Sequence, residues 1–132
     1  MQRYTYILEG DPTPLFRAKP NYNKKRMYDS QKQNKLVTGI TLANQHSNRP
    51  QFEGPVSLEV VFFMPVPQTR LREKKKLYGT YHFVRPDTTN LLKYIEDAAN
   101  TILYKDDCII AKIIAEKIYG EPRTEFTITS LK

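Results

Sequence analysis

The chain has 132 residues, a hydrophobic fraction of 39%, one cysteine and a formal net charge of +7. That length suits one compact domain, and the lone Cys108 excludes an internal disulfide, as expected of a reducing, cytoplasmic compartment. No apolar run approaches the roughly 20 residues that span a bilayer, Met1-Gln2-Arg3-Tyr4 opens no signal-peptide core, and the basic balance favours a polyanion such as nucleic acid.

Tyr4, Tyr6 and Leu8 alternate with Arg3, Thr5 and Ile7, which predicts an opening strand ended by Gly10-Asp11-Pro12 and Pro14. A basic loop follows, with Arg17, Lys19, Lys24, Lys25 and Arg26. Ser30 and Gln33 have the spacing of a capping box, and Leu36, Ile40 and Ala43 recur at helical spacing. A helix is expected over about 30–45, weakened at Gly39 by about 1 kcal/mol. Val56, Leu58, Val60, Phe62 and Met64 alternate along a second strand that Pro65 and Pro67 end.

Residues 68–80 hold Arg70, Arg72, Lys74, Lys75 and Lys76 against a single acid, Glu73. This stretch is too charged for a core and reads either as a solvated run or as a phosphate contact. Residues 88–103 give the clearest helix, with Leu91, Leu92, Ile95, Ala98, Ala99 and Ile102 on one stripe and Asp87, Thr88 or Thr89 as its cap. Ile109, Ile110, Ile113, Ile114 and Ile118 fit helix or strand by spacing. Their β-branching and the turn at Gly120-Glu121-Pro122 favour a strand, followed by a last one through Phe126 and Ile128.

Acid is concentrated late in this basic chain: Asp87, Glu96, Asp97, Asp106 and Asp107. A hard divalent cation takes oxygen ligands from separate places in a chain. Asp87 stands where the helix begins, and Asp106 and Asp107 stand before the next strand. They meet only if the intervening loop returns across the sheet edge. Each also has a plain reading: Asp87 as an N-cap, Asp106-Asp107 as a turn, Lys93 as an i,i+4 partner of Asp97, and Glu96 as solvated. His82 reads as a surface or capping residue before a ligand, His46 as a partner of the first helix's C-terminal dipole, and Cys108 as a buried small side chain. No Gly-rich phosphate loop, zinc spacing or serine-hydrolase elbow is present.

The run Asp87-Thr88-Thr89-Asn90-Leu91-Leu92-Lys93, the later Tyr104-Lys105-Asp106-Asp107 and the C-terminal Tyr119-Gly120-Glu121-Pro122-Arg123-Thr124-Glu125 resemble the RusA family of Holliday-junction resolvases, known in phages and prophages. The distinctive match spans 82–128, and its core has the form Asp-x-Asp-Asn-Leu-x-Lys. The resemblance implies a small α+β fold over 1–132, with a mixed sheet of about four to five strands and two main helices. It also implies a homodimer that cleaves branched DNA, in particular four-way junctions, in recombination and repair. The implied cofactor is Mg²⁺, with Mn²⁺ able to substitute.

Carried over position by position, Asp87, Lys93 and Asp107 are the catalytic residues, and Asp87, Asp106 and Asp107 the metal ligands. Thr89 stands where the family has a second aspartate, which removes one negative charge from the site. Lys24, Lys25, Arg26, Arg70, Arg72, Lys74, Lys75 and Lys76 are expected to grip the DNA backbone. Thr89 leaves open a non-catalytic or weakly active DNA-binding protein. An RNA-binding basic protein is a third reading, and it leaves the acidic pattern unexplained.

Overall fold

The computed structural model describes residues 2–16, 19–21 and 26–132, with the backbone alone at 19–21 and 26–28. The elements in chain order are β1 (Arg3–Glu9), β2 (Lys19–Asn21), β3 (Arg26–Tyr28), α1 (Lys32–Ala43), β4 (Val56–Met64), α2 (Lys74–Leu77), α3 (Thr88–Ala99), β5 (Ile110–Tyr119) and β6 (Arg123–Ser130). Four strands make one sheet in the order β1-β6-β4-β5, and β2 and β3 pair separately. β6 runs antiparallel to both β1 and β4, whereas β5 runs parallel to β4, so the sheet is mixed and the fold α+β.

Period-2 alternation decides which face is covered. Tyr6, Val56, Leu58, Val60, Phe62, Met64, Phe126 and Ile128 are buried, and they share a core with Leu42 of α1 and Leu91, Tyr94, Ile95 and Ala99 of α3. The opposite face is largely polar: the hydroxyls of Thr5 and Thr127 lie 2.9 Å apart across the strands, and Glu59 is exposed. The alternation in β1, β4 and β6 therefore places these strands as expected. Of the five isoleucines expected in a strand, Ile110, Ile113, Ile114 and Ile118 lie in β5, whereas Ile109 ends the 3₁₀ turn just before it.

The first helix lies where the sequence places it but is turned about its axis. Leu36, Val37 and Ile40 are each more than half exposed. The face toward α3 is Lys35, Thr38, Gly39 and Leu42, which share a stripe at i, i+3, i+4 and i+7. Lys35 Nζ reaches Asp29 at 2.7 Å and Asp97 at 3.4 Å, and Thr38 Oγ1 lies 3.1 Å from the Tyr94 hydroxyl. Burial alone lowers the Lys35 pKa, but the hydrogen bonds and charges of Asp29 and Asp97 outweigh it and hold the ammonium above its ordinary value. Gly39 is the close point: a Cβ there would stand 2.9 Å from the Ala98 carbonyl oxygen and 2.5 Å from Ile102 Cδ1. The glycine that reads as a helix weakness is the residue that lets two helices touch.

The expected capping box does not form. The N-cap position is Gln31, with no side-chain cap bond. Gln31 is buried and ties a loop instead, accepting from Phe16 N at 2.7 Å and donating to Pro14 O at 2.8 Å. His46 follows α1, but its Nε2 lies 2.6 Å from Thr5 O and its ring stands edge-on to Tyr4 and Tyr6, so it joins the helix end to β1. The charged stretch becomes a 3₁₀ segment, Gln68–Glu73, running into α2, and neither contains a buried residue. Among the described residues no helix is long and apolar enough to cross a membrane.

Gly39→Ala gains about 1 kcal/mol of helix propensity but forces α1 away from the Ala98 carbonyl, and overpacking of this kind costs about 1–3 kcal/mol. Urea unfolding of the variant should show no net gain, with a loss of up to about 2 kcal/mol.

Candidate functional site

Asp87 occupies the N-cap position of α3 in an extended conformation, yet its side chain makes no capping hydrogen bond. The carboxylate is exposed and free of the helix it precedes. The segment that delivers it is held from beneath by Lys117 of β5. Lys117 is only 8% exposed, and its Nζ donates to the carbonyls of Val84 and Pro86 at 2.6 Å each. Burial lowers the pKa of this ammonium, and the Asp87 charge works against that lowering.

His82 belongs to the same support. Its backbone N donates to Lys117 O at 3.0 Å, its ring stands edge-on to Tyr119, and Nδ1 is buried without a partner among the described residues. Burial, then the Lys117 charge, hold its pKa below the usual imidazole value. Clefts lie on both sides of Asp87, one toward His82, Phe83 and Lys117 and the other toward Leu15, Phe16 and Asn90.

Asp106 and Asp107 belong to the other end of α3. Tyr104 is buried and donates its hydroxyl to Glu96 O at 2.8 Å. Lys105 N donates to Phe52 O at 2.9 Å, and Phe52 N to Leu103 O at 3.1 Å. These bonds pin the turn from which both aspartates project. The Asp106 side chain accepts from Cys108 N at 3.3 Å. The hydrogen bond with Asp106, then partial burial, then the charges of Asp106 and Asp97 push Asp107 above the usual carboxylate range. Glu96 is raised as well, by burial first and then by Asp107 and Asp97. It is half-buried rather than fully solvated, so it joins the acidic group. Asp97 pairs with Lys35 of α1 in place of the expected Lys93. Cys108 is an exposed free thiol, not the buried side chain expected, because the 3₁₀ turn Asp107–Ile109 carries it outward.

The two acidic groups do not meet within one chain. Ten residues separate Asp87 from Asp97, which is roughly 15 Å along a helix axis. The loop after α3 does not return, since Tyr104 and Phe52 hold it where the helix ends. Among the described residues no group of three or more His, Cys, Asp or Glu is placed to hold a metal ion. The donors are oxygen, as a hard cation requires, but a single chain divides them. Thr89, Asn90 and Lys93 are exposed on the helix between the two ends.

Of the basic residues expected to meet phosphate, Lys24 and Lys25 lie outside the described residues, and Arg26 is in β3. Arg72, Lys75 and Lys76 are exposed. Arg70 bonds Glu73 at 2.9 Å, and Lys74 lies 3.6 Å from Glu121 and 5.6 Å from the Tyr78 ring centre. Sequence reasoning missed Lys117. Its signal was register: it shares the core-facing parity of β5 with Ala115 and Tyr119, where an ammonium needs partners.

Residues 9–129 match the family described as Endodeoxyribonuclease RusA. The chain belongs to that family. RusA-family proteins act on branched DNA junctions. The chain is also similar to a Bacillus subtilis (strain 168) protein described as "Uncharacterized protein YqaN", at 30% identity over 132 residues, with 93% of each chain covered. The RusA match contains the whole of α3 and both acidic ends, so the family motif and the split geometry describe the same residues.

Two outcomes follow for the site. Lys117→Met removes both 2.6 Å bonds under Asp87 and should lower unfolding stability by about 2 kcal/mol in urea. Asp107 has a raised folded-state pKa. Between the unfolded and folded values the native state therefore holds the extra proton, and stability falls as pH rises through that window. With chelator present, Asp107→Asn should melt at a higher temperature than wild type at pH 7, and the gain should fade below about pH 4.

Proposed function

We propose that the protein is a Mg²⁺-dependent, structure-selective endonuclease that resolves four-way DNA junctions by paired nicks, working as a homodimer. The family match across residues 9–129 carries the reading. The exposed, uncapped Asp87 carboxylate supports it, because an aspartate serving only as an N-cap would bond its own helix.

Because α3 keeps Asp87 away from Asp106 and Asp107, a homodimer has a specific task here. A two-fold pair in which the α3 helices run antiparallel brings Asp87 of one copy toward Asp106 and Asp107 of the other, twice over. Two such sites match the approximate two-fold symmetry of a four-way junction. Asp87 of one copy with Asp106 and Asp107 of the other would hold a divalent cation, which would supply Lewis acidity at the phosphate and activate water for attack. Lys93, exposed between the two ends, offers positive charge to the phosphate as negative charge builds on it. Lys117 keeps Asp87 in place. Arg72, Lys75 and Lys76 neutralise backbone phosphates and offset the repulsion between DNA and the acidic groups.

Thr89 favours a second reading, a junction-binding protein of weak or no activity, since a hydroxyl replaces a carboxylate two residues from Asp87. Incubation with a labelled four-way junction and Mg²⁺ or Mn²⁺ separates the two. The nuclease reading predicts nicks in wild type, and with Asp87→Asn a fall of about a hundredfold or more at unchanged junction binding. Binding without product in every metal condition supports the second reading.

A further inference from the structure

We infer that the outer edge of β5 is the seam of the homodimer, pairing antiparallel with β5 of a second copy about a two-fold axis at Ile114. β5 ends the sheet order, so one side of it has no strand. Residues 79–82 cover that side only at its far end: His82 N donates to Lys117 O, Tyr119 N to Thr80 O and Gly79 N to Tyr119 O, each at 3.0 Å. Odd-numbered residues of β5 therefore turn their backbone groups outward, and by alternation Ile113 and Ala115 do so as well. Among the described residues no strand pairs there. A regular, open edge of this kind is a template for another strand.

The side chains select a second copy as the occupant. The regular open stretch is Lys112 to Glu116, because the register with β4 shifts just before it. A two-fold axis at Ile114 sets Lys112 opposite Glu116 of the other copy, twice, and Ile114 opposite itself. Ile113 and Ala115 of each copy then exchange backbone hydrogen bonds. Lys112 and Glu116 are exposed, and Ile114 is 52% exposed on the same face. The stretch is thus self-complementary in charge and in apolar surface. Beyond its Lys112 the partner strand meets residues 79–82 of the first copy, beside Tyr81, Phe83 and Val84, which are 69%, 88% and 56% exposed. That patch gains a cover where the seam ends.

This inference rests on the homodimer proposed above. Sedimentation velocity tests it with charge exchange. Lys112→Glu or Glu116→Lys alone places like charges opposite each other twice and should weaken dimerisation about tenfold, while the double exchange should restore it. In a Cys108→Ser background, Ile114→Cys should cross-link as a dimer, because facing residues at such a pair stand about 4.5 Å apart. Ile7→Cys, on the opposite edge strand, should not. A wild type that nicks junctions as a monomer overturns the dimer and the seam together. A dimer indifferent to both single exchanges overturns the seam alone.

Discussion

The burial of α3 against the sheet governs the rest of this structure. Leu91, Tyr94, Ile95, Ala98 and Ala99 are each at most 4% exposed, so the helix is a fixed strut and not a movable arm. Its length separates Asp87 at one end from Asp106 and Asp107 at the other. The turn at Tyr104, locked to Phe52 and to the Glu96 carbonyl, fixes the second end as firmly as Lys117 fixes the first. Chemistry that needs both ends has to recruit a second chain, and in this account the open edge of β5 recruits it.

The electrostatics agree with that division. At the Asp106 end ionisation is resisted twice: Glu96 is raised by its burial and then by the Asp107 and Asp97 charges, and Asp107 by its hydrogen bond with Asp106, then by burial and the Asp106 and Asp97 charges. At the other end a buried ammonium, Lys117, holds the Val84 and Pro86 carbonyls and so steadies the segment that carries Asp87. The basic residues of 68–77 contribute no side chain to the core. Of these, Arg72, Lys75 and Lys76 are exposed and stand outside the ion pairs of Arg70 and Lys74.

Much of the fold was legible because period decides burial. The alternation in β1, β4 and β6 and the apolar stripe of α3 each placed an element correctly. α1 was legible in position but not in orientation. Its contact face uses Lys35, Thr38 and Gly39, whose value lies in an ion pair, a hydroxyl contact and close approach rather than in apolar area. The family was legible from Asp87 to Lys93 and from the Asp106-Asp107 pair. The separation of those groups was not, because sequence spacing records neither helix length against the sheet nor where a loop is pinned. Lys117 was hidden for a related reason: its role depends on the carbonyls of Val84 and Pro86, more than thirty residues earlier in the chain.

The central claim is that each working site draws carboxylates from two chains. Mixing Asp87→Asn with Asp107→Asn chains, allowing subunits to exchange and scoring nicks in a labelled four-way junction tests it most directly. Each variant alone should be inactive, whereas the mixture should recover about a quarter of the wild-type sites, because each mixed dimer holds one site with both aspartates intact. A mixture as inactive as its components, with exchange shown to be complete, would contradict the account.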